Sequence, residues 1–251
     1  MRPATHRSLS RSADAPLTGF QSFELGRRVV YLRRDLAARA PAIVASLSTL
    51  GSAEGTGNRL SGIALKLEDG MELFARINRR GGLIHYALKD LYVGIRARPV
   101  RELAVAAEAH RRGIPVAEPI GAVVEWVAPI VYRSVFLTRA LAGMTLWEFL
   151  CTDDDTFVRA HVIEQARQAL DTMHRLGLFH ADLNLHNLFV TQSRESFAVA
   201  ILDLDKARLF QGPVPARMRA RNFARLQQSA RKLDPNRHYL DSRVLELLTR
   251  R

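Results

Sequence analysis

The run His180-Ala181-Asp182-Leu183-Asn184-Leu185-His186-Asn187 precedes an apolar stretch and a second acidic element, Ile201-Leu202-Asp203-Leu204-Asp205. Histidine, aspartate two residues on and asparagine five after that is the spacing of a kinase catalytic loop. Phosphoryl transfer needs these residue types in this order. One carboxylate accepts the proton of the attacking hydroxyl, the role expected of Asp182. An amide oxygen from the same loop reaches a magnesium ion, the role expected of Asn187. A second carboxylate at the end of an apolar strand, Asp203, holds that metal on the ATP phosphates. A lone His-Asp pair is more often a solvated turn with a capping aspartate. The ordered set, with apolar strands around it, points to a phosphotransferase. His180 reads as a structural residue that holds the loop through hydrogen bonds, and Asp205 as either a metal contact or a brace.

Such a site needs a lobe that covers ATP. Gly51-Ser52-Ala53-Glu54-Gly55-Thr56-Gly57-Asn58 is glycine-rich and precedes two strand-like runs, Leu60–Leu67 and Met71–Ile77, joined by Glu68-Asp69-Gly70. Asp-Gly between apolar runs signals a hairpin, and Gly55 and Gly57 are the candidate backbone cradle for phosphates. Ile63-Ala64-Leu65-Lys66 resembles the strand that pairs the α- and β-phosphates, but it is the first strand after the glycines. The phosphate-pairing cation belongs on the next strand, where Arg76 stands. Arginine keeps its charge and offers a forked donor set. Glu102, in the first turn of a helix expected to start near Pro99 and end at Gly113, is the candidate partner of Arg76; a helix-dipole role for it is equally open.

The remaining pattern supplies a scaffold. Ile120–Val127 and Ile130–Leu137 read as two more strands, Thr138-Arg139-Ala140-Leu141 as a hinge, and Leu146–Leu150 as the start of a mostly helical half. Thr156 to Leu176 has helical spacing, with Asp153-Asp154-Asp155 as its acidic cap rather than a metal site. Arg27 to Leu50 reads as partly helical and interrupted by Pro41. The expected fold is α+β and protein-kinase-like: a flexible basic arm over residues 1–20, an antiparallel-sheet lobe over 21–138 and a helical lobe over 139–251.

Composition narrows the partners. The chain has 251 residues, 37 basic against 25 acidic, a formal charge of +12, and only four of the basic residues are lysines. Biased base composition of the gene explains such a balance as well as an anionic partner does. A single cysteine, Cys151, excludes an internal disulfide framework and a cysteine-based zinc cluster. No run of about 18 apolar residues is present, so no membrane span is expected, and the amino terminus lacks the apolar core of a secretory signal. Near the expected site, Arg79 and Arg80 precede the cleft, and Lys206 and Arg208 follow Asp203; these are candidate contacts for an anionic acceptor. The arginine-rich stretch Arg217 to Lys232 reads equally as a solvated helix or an anion-binding surface.

Asn78-Arg79-Arg80-Gly81-Gly82-Leu83-Ile84, Arg111-Arg112-Gly113-Ile114-Pro115-Val116 with Pro119, the two acidic motifs, and Asn222-Phe223-Ala224-Arg225-Leu226 with Ser229 together resemble the 3-deoxy-D-manno-octulosonic acid (Kdo) kinases of lipopolysaccharide synthesis, over residues 50–235. Leu204 departs from the phenylalanine usual between the two aspartates. The resemblance implies an ATP- and Mg²⁺-dependent kinase of Kdo on a lipid A precursor. It implies a peripheral location on the cytoplasmic face of the inner membrane, contact with anionic lipid, and no nucleic-acid partner. A heptose kinase or aminoglycoside-type phosphotransferase shares the Asp and Asn spacing, and a non-catalytic pseudokinase is a third reading.

Overall fold

The computed structural model describes residues 17–50, 62–67, 69–77, 92–93, 97–193, 196–240 and 242–249. Its first half is an antiparallel sheet of seven strands: β1 (Phe20–Leu25), β2 (Arg28–Arg33), β3 (Gly62–Lys66), β4 (Glu72–Ile77), β5 (Tyr92–Val93), β6 (Pro119–Ala128) and β7 (Val131–Arg139). The order is β1-β2-β6-β7-β4-β3, with β5 also pairing β7. Val30 and Leu32 alternate inward on β2, the period-two pattern of a half-buried strand. β6 is buried on both faces from Pro119 to Val124 because it lies at the centre. One face meets α1 (Ala40–Leu50) through Ile43 and the 3-10 turn before it through Leu36. The other meets α2 (Arg98–Arg111) through Leu103 and Ala106.

Two expectations need correction here. The basic arm does not extend to residue 20: Phe20 is buried and opens β1. Arg27 to Leu50 is helical in part, as expected, but Pro41 does not interrupt the helix. Its first part is β2, and Pro41 sits in the first turn of α1, where proline's missing N–H costs nothing.

The second half is mostly helical: α3 (Leu146–Thr152), α4 (Thr156–Arg175), α5 (Ala216–Leu233) and α6 (Ser242–Thr249). Between them run β8 (Gly143–Thr145), β9 (Leu178–Phe179), β10 (Leu188–Gln192), β11 (Phe197–Ile201) and β12 (Arg208–Leu209). Thr145 and Glu148 form a capping box at the start of α3. Asp155 caps α4 by accepting from the Phe157 and Val158 N–H groups, as its position predicts. Gly177 ends α4 with φ at +90°, and a Cβ there would meet the carbonyls of Phe210 and Gly212 at 2.7 and 2.6 Å. Only glycine makes that turn, which delivers the chain to His180.

The two halves are tied beneath the cleft. Arg112, just past α2, donates to the carbonyls of Leu176 (3.2 Å) and Phe210 (2.6 Å). The Pro115 carbonyl accepts from the Ile201 N–H at 2.7 Å. The Arg-Arg-Gly-Ile-Pro motif thus fixes α2 against the strand that leads to Asp203.

Candidate active site

The loop from His180 to Asn187 is held by its backbone. The Asp182 carbonyl accepts from the side-chain amides of both Asn184 and Asn187, each at 2.9 Å. Asn184 also caps the 3-10 turn Leu185–Asn187 through its Oδ1. His180 is fully buried. Its Nδ1 accepts from the Asp182 N–H (3.2 Å), so Nε2 carries the hydrogen and donates to the Leu202 carbonyl (2.9 Å). One imidazole therefore locks the loop to the residue before Asp203. The Leu202 N–H donates to the Asn187 carbonyl at 2.9 Å, a second tie between the two acidic motifs.

Asp203 adopts φ of +59°, a left-handed conformation that aspartate tolerates better than most residues. Its carboxylate pairs with Arg76 of β4, and Arg76 also pairs with Glu102 of α2. The Arg76 guanidinium lies 5.6 Å from the centre of the Phe136 ring on the neighbouring strand, which limits where it can move. Glu102 is buried, its side chain 2% exposed. Burial pushes the Glu102 carboxyl up to about 7, against the pull of Arg76, with Asp203 and Asp205 adding repulsion. Burial also works against the Arg76 charge, but Glu102 and Asp203 outweigh it and hold that charge firmly. Lys66, by contrast, is exposed on β3 and 4.0 Å from Glu72. The strand order thus gives Arg76, not Lys66, to the cleft.

Asp182 itself is exposed, and its Oδ1 lies 3.6 Å from Arg225 Nη1 of α5. Beside it is a cavity of about 410 Å³ lined by Ala181, Asp205, Lys206 and Arg208, and by arginines of α2 and α5. Gly55, Gly57, Arg79 and Arg80 lie outside the described residues.

The donor set fits magnesium. Among the described residues no three His, Cys, Asp or Glu side chains gather as a cage. Magnesium is usually held by one or two carboxylates plus substrate phosphates, so a cage is not required. Asn187 uses its amide nitrogen on the Asp182 carbonyl, which leaves its oxygen as the acceptor. Asp203 keeps a second carboxylate oxygen beside the one that meets Arg76.

Sequence reading gave no partner to His174 and no role to Asn222. Asn222 is fully buried on α5. Its Oδ1 meets His174 Nε2 at 3.1 Å, and its Nδ2 donates to the His180 carbonyl. Ser229, about two turns along the same face of α5, accepts from the Leu185 N–H at 3.4 Å. The signal was an asparagine on the apolar stripe of an amphipathic helix, where only a satisfied amide is tolerated. Asn222→Leu should cost roughly 2–4 kcal/mol, since it strands a buried carbonyl and a buried imidazole. Urea unfolding checks this, and a loss below about 0.5 kcal/mol would deny the bridge its structural role.

Burial holds both His174 and His180 below the usual histidine range. Each therefore takes up its proton more readily when the chain unfolds. The stability they contribute is present above the ordinary value of about 6.5 and is lost as pH falls below it. Glu102, held high, works in the opposite sense. Comparison with His174→Gln cancels it: between pH 7.0 and 5.5 the wild type should lose more stability than the variant. Parallel curves would contradict the assignment.

The fold, an antiparallel-sheet half joined to a mostly helical half, is protein-kinase-like with two lobes. The lipopolysaccharide kinase (Kdo/WaaP) family model matches residues 46–247, and the chain belongs to that family. A 3-deoxy-D-manno-octulosonic acid kinase of Xylella fastidiosa strain 9a5c is 33% identical over 159 residues, covering 62% of this chain and 60% of its own length. One from Pasteurella multocida strain Pm70 is 30% identical over 193 residues, 73% of this chain and 75% of its own. The match thus spans about three-fifths of the Xylella relative's length. The solved structure "WaaP in complex with acyl carrier protein" superposes with a TM-score of 0.50 at 20% identity, covering 87% of this chain and 86% of that one; this likeness concerns the fold.

Proposed function

We propose that this chain transfers the γ-phosphoryl group of ATP to a hydroxyl of Kdo on a lipid A precursor. The observation that carries the reading is the exposed Asp182 carboxylate, beside a cationic cavity and locked through His180 to the Asp203 loop. Asp182 takes the proton of the acceptor hydroxyl. The hydroxyl oxygen forms its bond to the γ-phosphorus as the bond from that phosphorus to the bridging oxygen breaks, and ADP leaves. Asn187 and Asp203 would hold Mg²⁺, which when bound neutralises charge on the phosphates. Arg76, steadied by Glu102 and Phe136, takes the phosphate-pairing role, and the glycine-rich stretch with Gly55 and Gly57 is assigned the phosphate contacts. Lys206 and Arg208 line the cavity beside Asp182 and, with Arg79 and Arg80, are assigned to the anionic acceptor.

Among the described residues no helix is long and apolar enough to cross a membrane. The +12 charge supports peripheral contact with anionic lipid at the cytoplasmic face of the inner membrane. The test offers ATP, Mg²⁺ and either a Kdo-bearing lipid A precursor or neutral soluble sugars, with mass spectrometry for added phosphate. Phosphate should appear on the Kdo-bearing lipid. Equal activity on neutral sugars would overturn the acceptor assignment.

A further inference from the structure

Two helices in this fold begin with the wrong charge. The first turns of α2 and α5 contain no acidic residue, and neither start has a side-chain cap. Instead α2 carries Arg98 and Arg101, and α5 carries Arg217, Arg219 and Arg221. The positive end of a helix disfavours cations, even though the Arg98 N–H donates to the Tyr132 hydroxyl at 3.0 Å and the Met218 N–H to the Pro215 carbonyl at 2.8 Å.

The two helices meet at one place. Arg98 and Arg101 line the cavity of about 410 Å³ from α2, Arg221 and Arg225 line it from α5, and Lys206 and Arg208 line it from the loop after Asp203. Asp205 is the single carboxylate among the lining residues. Arg225 also reaches toward Asp182, so a group held here lies next to the candidate base. Proton transfer and metal binding require none of the five arginines. Their forks match the paired oxygens of a carboxylate or phosphate. Arg101 is followed directly by Glu102, which pairs with Arg76. One turn of α2 thus carries both a wall of this cavity and the brace of the nucleotide site.

We infer that the cavity binds an oxyanion of the acceptor, a sugar carboxylate or a lipid phosphate, between arginines of both lobes, and that its occupancy fixes α2 and so tightens nucleotide binding through Glu102 and Arg76. The inference rests on the phosphotransferase reading above and adds to it the residues that select a charged acceptor. By linkage, nucleotide tightens anion binding by the same factor.

Calorimetry on the full chain tests this with Mg²⁺ and a non-hydrolysable ATP analogue. The added ligands are free Kdo, which has a carboxylate and no phosphate; its neutral methyl ester; and a bisphosphorylated lipid A precursor without Kdo. At least one of the two anionic ligands should raise analogue affinity about fivefold or more, the usual lower end of such coupling. Which one does so identifies the anion. Arg101→Gln and Arg221→Gln should each weaken binding of that ligand about tenfold, as loss of a charge-assisted hydrogen bond does. Arg231→Gln, an exposed change on α5 away from the cavity, should keep it. Three results would overturn the inference: an ester that binds as well as the acid when the acid is the ligand, equal losses in all three variants, or anion binding that leaves analogue affinity unchanged. Mass spectrometry of the same proteins with ATP and Kdo-bearing lipid separates the two claims. Unimpaired transfer by Arg101→Gln and Arg221→Gln would overturn the subsite and leave the reaction standing. A wild type that binds the anion through these arginines yet transfers no phosphate would overturn the reaction and leave the subsite.

Discussion

Asp182→Asn should reduce phosphate transfer by about 10²–10⁴-fold, the usual range for loss of a general base, while the protein stays folded and continues to bind ATP. The structure explains why the two effects separate. What holds the loop is the backbone of Asp182: its carbonyl accepts from Asn184 and Asn187, and its N–H donates to His180. Asparagine keeps all of these. Among the described residues the exposed carboxylate reaches only toward Arg225, at 3.6 Å, and exposed ion pairs contribute little to stability. Unfolding free energy should therefore change by no more than about 0.5 kcal/mol. The checks are transfer rate, urea unfolding and analogue binding on one preparation. Near wild-type transfer in the folded variant would remove Asp182 from the mechanism.

Arg76→Ala should lower kcat/KM for ATP by about 10²–10³-fold, the scale of losing one preorganised electrostatic contact to the reacting group, whereas Lys66→Ala should stay within about twofold. Arg76 is the point where β4, α2 and the Asp203 loop meet, and its guanidinium is the link between Glu102 and Asp203. Removing one partner of a buried ion pair ordinarily costs about 3–5 kcal/mol. Here the cost should be smaller, because burial already pushes the Glu102 carboxyl up to about 7 and the orphaned group can take a proton. Thermal unfolding of Arg76→Ala above and below that value checks the point: the variant should be relatively more stable on the acid side. A damaging Lys66→Ala with a silent Arg76→Ala would reverse the roles of the two strands.

The parts of this site that depend on local spacing were legible in the sequence. His180, Asp182 and Asn187 lie within one loop, so their proximity follows from the chain itself. Arg76 over Lys66 was legible because strand order after a hairpin is a local rule. Capping by Asp155 was readable for the same reason. Residues brought in by packing were not. Asn222 reaches His174 and His180 across more than forty residues of sequence, and nothing in a single helix says which carbonyl its amide will meet. Arg98, Arg101, Arg221 and Arg225 share a cavity only once α2 and α5 are placed. β2 was absorbed into a helical reading because Val30 and Leu32 alternate for only one short strand before an Ala-rich helix. A period of two is hard to distinguish over so few residues.

The central claim is that the γ-phosphorus of ATP passes to a hydroxyl of lipid-linked Kdo in the cleft that Asp182, Asn187 and Asp203 share. The direct measurement supplies ATP labelled in its γ-phosphate, Mg²⁺ and Kdo-bearing lipid A precursor, and follows the label after separating lipid from nucleotide. Wild-type protein should place the label on the Kdo sugar and Asp182→Asn should not. Label that remains in ATP, or that appears only as free phosphate with the wild-type protein, would contradict the account.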